Sequence, residues 1–180
     1  MKLQKWKKLS TITKFVNSWW SYKVDKYLLP GGDEGEYHYA FTNGSAFIIP
    51  LNNDGKLIMV RQYRYLNDRF SVEFPGGGVK KENNHEAEAE KELVEETGFN
   101  GDLQYAGEFN PYNGVTNEIC KVYIARNLKP SGEFKKDESE EFEILTFSYR
   151  EIEEMINSNE IYDGMTLASW ALVKNKLNLN

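Results

Sequence analysis

The chain has 180 residues and a formal net charge of −6, with 40% hydrophobic and 14% aromatic residues. This length and composition indicate one globular domain, and the acidic balance argues against a nucleic-acid partner, which requires a basic surface. No apolar stretch is long enough for a signal peptide or a membrane span, so no membrane partner is expected. A single cysteine, Cys120, offers no intramolecular disulfide, and we expect a cytoplasmic protein.

The first part of the chain predicts two strand pairs. Residues 22–29 and 36–42 are rich in β-forming residues and flank a Pro-Gly-Gly-Asp turn, which predicts a hairpin. Residues 45–51 and 57–63 flank Asn-Asn-Asp-Gly, which predicts a second hairpin.

A helix is predicted after the glycine triplet 76–78, which is expected to form a turn. Glu92, Glu95 and Glu96 are spaced i, i+3, i+4, so they share one face of that helix. Glu88 extends the same stripe by one turn. Such a stripe is usually a solvated face, but these acids repel one another and stand at the end of the helix where the dipole is already negative. We therefore expect a divalent-metal site, with Mg²⁺ (or Mn²⁺) preferred because carboxylates are hard oxygen ligands.

The remainder of the chain predicts strands followed by helices. Ser148 is followed three residues later by Glu151, in the pattern Ser-Tyr-Arg-Glu of a capping box, which predicts the start of a helix. The predicted elements are strands near 103–109, 118–125 and 142–147, a helix from about 149 to 157 and a last helix from about 166 to 177. Cys120 is expected in the core.

The glutamate helix and its approach resemble the signature of the Nudix hydrolases. That signature is Gly, five residues, Glu, seven residues, then Arg-Glu-hydrophobic-x-Glu-Glu-x-Gly-hydrophobic. Gly77 matches the first glycine, and the block Lys91–Phe99, KELVEETGF, matches the end. Two positions depart: Asn83 stands where the signature has its early glutamate, and Lys91 where it has arginine.

The resemblance extends to the branch that contains ADP-ribose and nucleoside-diphosphate-sugar pyrophosphatases. Asn113 stands where that branch has a proline associated with ADP-ribose preference. The matching segments are Asp25–Pro30, Glu36–Tyr39, Arg61–Arg64, Glu73–Gly77 and Glu160–Leu167.

The resemblance implies an α+β fold, an α/β/α sandwich with a mixed central sheet and an N-terminal antiparallel β extension. The implied division is an N-terminal β extension over 1–43, able to form a dimer, and a Nudix hydrolase domain over 44–180. Members of this branch often pair through the N-terminal sheet, so a homodimer is expected.

The resemblance also implies roles for individual residues. The implied metal ligands are the side chains of Glu92, Glu96 and Glu95 and the carbonyl of Gly76. Glu95 could instead orient water. The implied general base is a glutamate on a later loop, Glu141 or its neighbour Glu140, for which an equally good interpretation is a solvated acidic loop.

Substrate contacts are expected from the segment before the helix. Arg64 is the best candidate for binding a phosphate, because a guanidinium can bind two oxygens at once. Its alternative is a structural ion pair with Glu73, and both can hold. Arg61, Glu73 and Gly77 complete the expected substrate-binding set, although Arg61 could simply face solvent.

The implied reaction is Mg²⁺-dependent hydrolysis of a nucleoside diphosphate linked to X, a small-molecule nucleotide such as ADP-ribose or another nucleotide sugar. Its products are a nucleoside monophosphate and phospho-X. Two alternatives stay open: a catalytically weak sensor that binds nucleotide sugars, favoured by Asn83 and Lys91, and a Nudix enzyme acting on another nucleotide class.

Overall fold

The computed structural model describes residues 2–132 and 141–177. The described chain forms two compact units. The first consists of residues 2–43 and 112–118, and the second contains the remaining described residues.

The first unit is a three-stranded antiparallel sheet. Its strands β1 (Lys7–Val16), β2 (Ser21–Leu28) and β3 (Glu34–Phe41) pair in that order. The hairpin predicted over 22–29 and 36–42 is formed by β2 and β3. Strand β1 was not predicted, because lysine, serine and threonine are interspersed among its apolar residues and every one of its side chains is exposed.

The second unit contains two sheets and three helices. The sheet β7-β4-β9-β8 is mixed, since β4 and β9 run parallel and the other pairs antiparallel, whereas β10-β5-β6 is antiparallel. The strands are β4 (Ser45–Pro50), β5 (Leu57–Arg64), β6 (Arg69–Glu73), β7 (Gly76–Gly78), β8 (Phe99–Phe109), β9 (Cys120–Pro130) and β10 (Phe142–Phe147). The helices are α1 (His85–Thr97), α2 (Tyr149–Asn157) and α3 (Gly164–Val173), and single 3₁₀ turns cover Tyr65–Asn67 and Lys174–Lys176.

Strand β4 is buried on both faces, as its unbroken apolar sequence requires. Ala46 and Ile48 belong to a core cluster with Ala89 and Leu93 of α1, while the alternate residues of β4 join a second cluster. That second cluster includes Phe47, Ile49, Ile152 of α2 and Trp170 of α3. Helices therefore cover opposite faces of the mixed sheet, and the predicted α+β fold with an α/β/α sandwich is confirmed.

The second predicted hairpin is wrong. Strands β4 and β5 lie in different sheets and are joined only by a bridge between Leu51 and Leu57. Strand β4 pairs with β7 at one edge and with β9 at the other, so it has no edge left for β5. The glycine triplet that was expected to be a turn is itself the short strand β7.

The C-terminal helices follow the sequence prediction closely. Helix α2 begins after Ser148, whose side chain and that of Glu151 form the predicted capping box. Helix α3 starts two residues before the predicted position and passes into a 3₁₀ turn. Cys120 is fully buried, as expected. Within the described ranges, none of the helices combines the length and apolar character that a membrane crossing demands.

Candidate active site

Helix α1 is held at both ends by short-range contacts. The side chain of Asn84 caps its start by accepting hydrogen bonds from the backbone of Glu86 and Ala87, at 3.0 and 2.9 Å. Gly98 ends it in the left-handed conformation, with φ 76°, which glycine adopts without strain. Because Leu93 is buried in the core, α1 is fixed against the sheet, and the neighbouring side of the helix carries Glu88, Glu92 and Glu96 in fixed positions.

Strand β7 lies directly beside two of these glutamates. The backbone N–H of Gly76 donates to Oε2 of Glu96 at 2.8 Å, and the side chain of Glu96 is largely buried. A Cβ atom on Gly77 would lie 2.6 Å from Oε1 of Glu92, so only glycine permits this approach. The structure thus brings Gly76, Gly77, Glu92 and Glu96 together.

Lys91 is bound to three carboxylates of its own helix. Its Nζ lies 2.6 Å from Oε2 of Glu95 and 3.3 Å from both Oε1 of Glu92 and Oε1 of Glu88. Burial disfavours the ammonium, but these carboxylates outweigh it, and the pKa of Lys91 is raised above its ordinary value. Burial also raises the pKa of Glu92, an effect that the charge of Lys91 partly offsets.

Arg64 forms the ion pair with Glu73 that the sequence allowed. Its Nε donates to Oε1 of Glu73 at 2.8 Å and its Nη2 donates to Oε2. The carboxylate is almost wholly buried, whereas 46% of the Arg64 side chain is exposed. The hydrogen bonds to Glu73 raise the pKa of Arg64, with smaller contributions from the charges of Asp163 and Glu96. Arg64 therefore keeps an exposed cationic surface within the electrostatic influence of Glu96.

Arg61 and Glu141 lie together at a surface cavity of about 350 Å³. The guanidinium of Arg61 stacks over the ring of Phe70, 4.9 Å from its centroid, and its Nη1 lies 3.5 Å from Oε2 of Glu143. Glu141 is exposed. Glu140, the other candidate base, lies outside the described residues.

The donor chemistry of this site fits a hard divalent cation. Glu92, Glu95 and Glu96 offer carboxylate oxygens and Gly76 offers a backbone carbonyl, and the N–H of Gly76 is bonded to Glu96. The carboxylates do not yet converge: across 2–132 and 141–177, no group of three or more His, Cys, Asp or Glu side chains is arranged to hold a metal ion. The ammonium of Lys91 instead binds Glu92 and Glu95.

Comparison with known proteins identifies the family. The model of the NUDIX domain matches residues 41–165. This chain belongs to the Nudix family of hydrolases. Nudix enzymes generally need a divalent metal, and the matched range includes every site residue predicted from the sequence.

Individual relatives extend this similarity over most of the chain. The chain is 30% identical to an ADP-ribose pyrophosphatase of Bacillus subtilis (strain 168) over 145 residues, covering 79% of this chain and 78% of that protein. It is 29% identical to a methanol dehydrogenase activator of Bacillus methanolicus, covering 81% and 80%. A crystal structure of an ADP compounds hydrolase has the same fold, with a TM-score of 0.83 at 20% identity over 98% of this chain and 96% of that one.

Glu88 has surroundings that its place in the glutamate stripe did not predict. Its side chain is fully buried, although the sequence grouped it with the exposed acids. It accepts hydrogen bonds from Nδ2 of Asn83 at 2.9 Å and from the backbone N–H of Lys80 at 3.2 Å. The burial of Glu88 could have been expected from its neighbours Ala87 and Ala89, because their small side chains allow other parts of the chain to pack closely around it.

Proposed function

We propose that the protein hydrolyses the diphosphate bond of a nucleoside diphosphate linked to X, such as ADP-ribose or another nucleotide sugar. The products are a nucleoside monophosphate and phospho-X. The observation that carries this proposal is the contact between the Gly76 backbone and Glu96, which joins strand β7 to the carboxylate face of α1. The similarity to a B. subtilis protein named ADP-ribose pyrophosphatase supports the choice of substrate class.

The proposed metal ligands are Glu92, Glu95 and Glu96 with the carbonyl of Gly76, and the proposed ion is Mg²⁺ (or Mn²⁺). A bound divalent ion offsets the charge of a diphosphate and lowers the pKa of a bound water. In support, Glu92 and Glu96 are already held beside β7 by close packing and a hydrogen bond. Glu95 is the most exposed of the three, with 44% of its side chain accessible.

The proposed substrate contacts lie on β5, β6 and β7. Arg64 binds a phosphate oxygen through the part of its guanidinium that remains exposed, while Glu73 fixes the plane of that guanidinium. Gly77 lets the Glu92 carboxylate lie against the backbone of β7, and Arg61 contributes positive charge at the cavity near Phe70.

The proton released by the attacking water requires an acceptor. Glu95 is proposed for this role where Glu92, Glu96 and the Gly76 carbonyl hold the ion without it, because it is the most exposed of the three glutamates. Glu141 and Glu140 are the alternatives, and exposure of Glu141 leaves it free to approach a substrate from solvent.

We also propose that the protein is a homodimer formed through the sheet of the first unit and that it is cytoplasmic. Strand β1 exposes several large apolar side chains, and such a surface favours association with another protein. The exposed side chains include Leu9, Ile12, Phe15 and Val16. The single buried cysteine is consistent with a reducing compartment.

A panel of substrates tests the proposed function. ADP-ribose, other nucleoside-diphosphate sugars, dinucleotides and nucleoside triphosphates are incubated with the protein and Mg²⁺, and the products are separated by chromatography. We expect a nucleoside monophosphate from a nucleoside-diphosphate sugar. Release of pyrophosphate from triphosphates alone would assign another nucleotide class, and saturable binding without product would contradict the proposal.

A further inference from the structure

The carboxylate of the missing signature glutamate is replaced by one from another part of the chain. Asn83 occupies that position, yet its amide Nδ2 donates to the carboxylate of Glu88 at 2.9 Å. The space next to residue 83 therefore still holds a carboxylate, supplied by α1 rather than by the loop before it.

Glu88 is buried in a site that is built for a charged carboxylate. Its side chain has no exposed surface, and an isolated charge in such a place is strongly unfavourable. Three donors compensate it: Nδ2 of Asn83, the backbone N–H of Lys80 and Nζ of Lys91. Two of the three belong to the loop between β7 and α1, so Glu88 ties that loop to the helix.

The same carboxylate also acts on the proposed metal ligands through Lys91. The ammonium of Lys91 is shared among Glu88, Glu92 and Glu95. Without Glu88, the full charge of Lys91 would be directed to Glu92 and Glu95, where it competes with a divalent cation. Glu88 thus takes part of the positive charge of Lys91, whose Nζ lies 2.6 Å from Glu95 and 3.3 Å from both Glu92 and Glu88.

We propose that Glu88 is a positioning residue that replaces the early glutamate of the Nudix signature, with Asn83 and Lys91 as its adapted partners. The chain has moved one carboxylate from the loop to the helix while keeping it between residue 83 and residue 91. This inference rests on the proposed function, because it assigns Glu92 and Glu95 to metal binding.

The inference is tested by returning a glutamate to position 83 and removing the one at position 88. The variants are Glu88→Ala, Asn83→Glu and the double variant that carries both substitutions. Because the Asn83 amide already touches the Glu88 carboxylate, a glutamate at 83 can reach the space that Glu88→Ala vacates. Glu90→Gln is the matched control, since Glu90 is an exposed acid on the same helix.

Mn²⁺ binding, followed by the electron paramagnetic resonance of free Mn²⁺ without substrate, is the first measurement. We expect Glu88→Ala to weaken Mn²⁺ binding roughly tenfold, as loss of a residue that orients metal ligands does. The double variant should recover most of that loss, and Glu90→Gln should bind as the wild type does. Asn83→Glu alone should not bind more tightly, because it places two carboxylates in one buried site.

Thermal unfolding and steady-state kinetics complete the test. Glu88→Ala should lower Tm by roughly 5 °C, with recovery in the double variant, and should lower kcat with little change in KM. If Glu88→Ala does not fold, the isosteric Glu88→Gln is compared with Asn83→Glu plus Glu88→Gln in the same assays.

A double variant no better than its Glu88 parent would overturn the inference. Wild-type protein that binds no Mn²⁺ would overturn the proposed function as well, whereas wild-type binding unaffected by loss of Glu88 would overturn this inference alone.

Discussion

Arg64 and Glu73 link neighbouring strands through two hydrogen bonds between guanidinium and carboxylate, although the register puts Arg69 opposite Arg64 and Val60 opposite Glu73. Only Glu73 is buried, and about half of the Arg64 side chain remains exposed. The pair is therefore both a structural element and a cationic surface: the carboxylate fixes the guanidinium, and the exposed part of that guanidinium is the part proposed to bind a substrate oxygen.

Replacing Arg64 separates these two roles. Arg64→Ala leaves the Glu73 carboxylate buried without its cation, so the free energy of unfolding should fall by about 2–3 kcal/mol, less than for a fully buried pair because Arg64 is half exposed. Arg64→Lys keeps the charge but not the planar fork, so it should unfold close to the wild type and show a KM raised roughly tenfold. Urea unfolding and steady-state kinetics measure the two effects. An unchanged KM in both variants would remove Arg64 from substrate binding.

Two adjacent glycines should respond differently to alanine. A Cβ on Gly76 would lie 2.5 Å from the carbonyl oxygen of Ala46, a backbone atom that cannot turn away. Gly76→Ala should therefore lower the free energy of unfolding by about 1–3 kcal/mol.

A Cβ on Gly77 would meet only the end of the Glu92 side chain, which can rotate. Gly77→Ala should fold within about 1 kcal/mol of the wild type, yet lose activity because Glu92 has moved. Denaturant unfolding together with kcat measures both variants. A Gly77→Ala protein with wild-type kcat would show that the position of Glu92 is unimportant for turnover.

Glu96→Gln should lower kcat roughly 100-fold or more while leaving the fold intact. The amide oxygen of glutamine can still accept the hydrogen bond from Gly76, but the charge proposed for metal binding is lost. Hydrolysis of ADP-ribose with Mg²⁺ measures the effect, and circular dichroism checks the fold. Equal activity in the two proteins would exclude Glu96 from the mechanism.

The stability contributed by Glu88 should depend on pH. Burial alone would raise its pKa, but hydrogen bonds from Asn83, the Lys80 backbone and Lys91 outweigh burial, so the pKa of Glu88 is lowered below its ordinary value of 4.5. A lowered carboxyl pKa means that the contribution is fully present above pH 4.5 and is lost as the pH falls through the folded-state pKa.

The difference between wild type and Glu88→Gln isolates this contribution from other acids. Lys91 stays charged throughout, and Glu92, whose charge also acts in this cluster, is common to both proteins. Urea unfolding at pH 7 should show the larger difference in free energy of unfolding, and at pH 3.5 the difference should shrink. A constant difference would contradict the assignment.

The proposed dimer makes a prediction about β1. Ile12→Lys puts a charge on an apolar side chain that is about half exposed, so it should convert the dimer to a monomer in sedimentation equilibrium. Thr13→Lys, on the same exposed strand, is the control for added charge. A monomeric wild type would contradict the proposal.

Periodicity and local chemistry were sufficient for much of this protein. The acidic face of α1, the capping box at Ser148 and the spacing from Gly77 to Phe99 depend on residues close in sequence, and the sequence therefore predicts them. The same local rules could not assign strand partners. The prediction of a hairpin between 45–51 and 57–63 failed because two strands from later in the chain, β7 and β9, occupy the two edges of β4.

The sequence by itself determined the family, the helix that carries the glutamates and the class of cation that those acids suit. Only the tertiary structure decided which acid is buried and which is accessible to solvent. Glu88 and Glu95 are the same residue type on one helix, yet Glu88 packs under the loop that follows β7 and Glu95 stays half exposed. The spacing of residues in the sequence fixes where side chains lie around a helix axis, but their burial depends on which other segments of the chain pack against that helix.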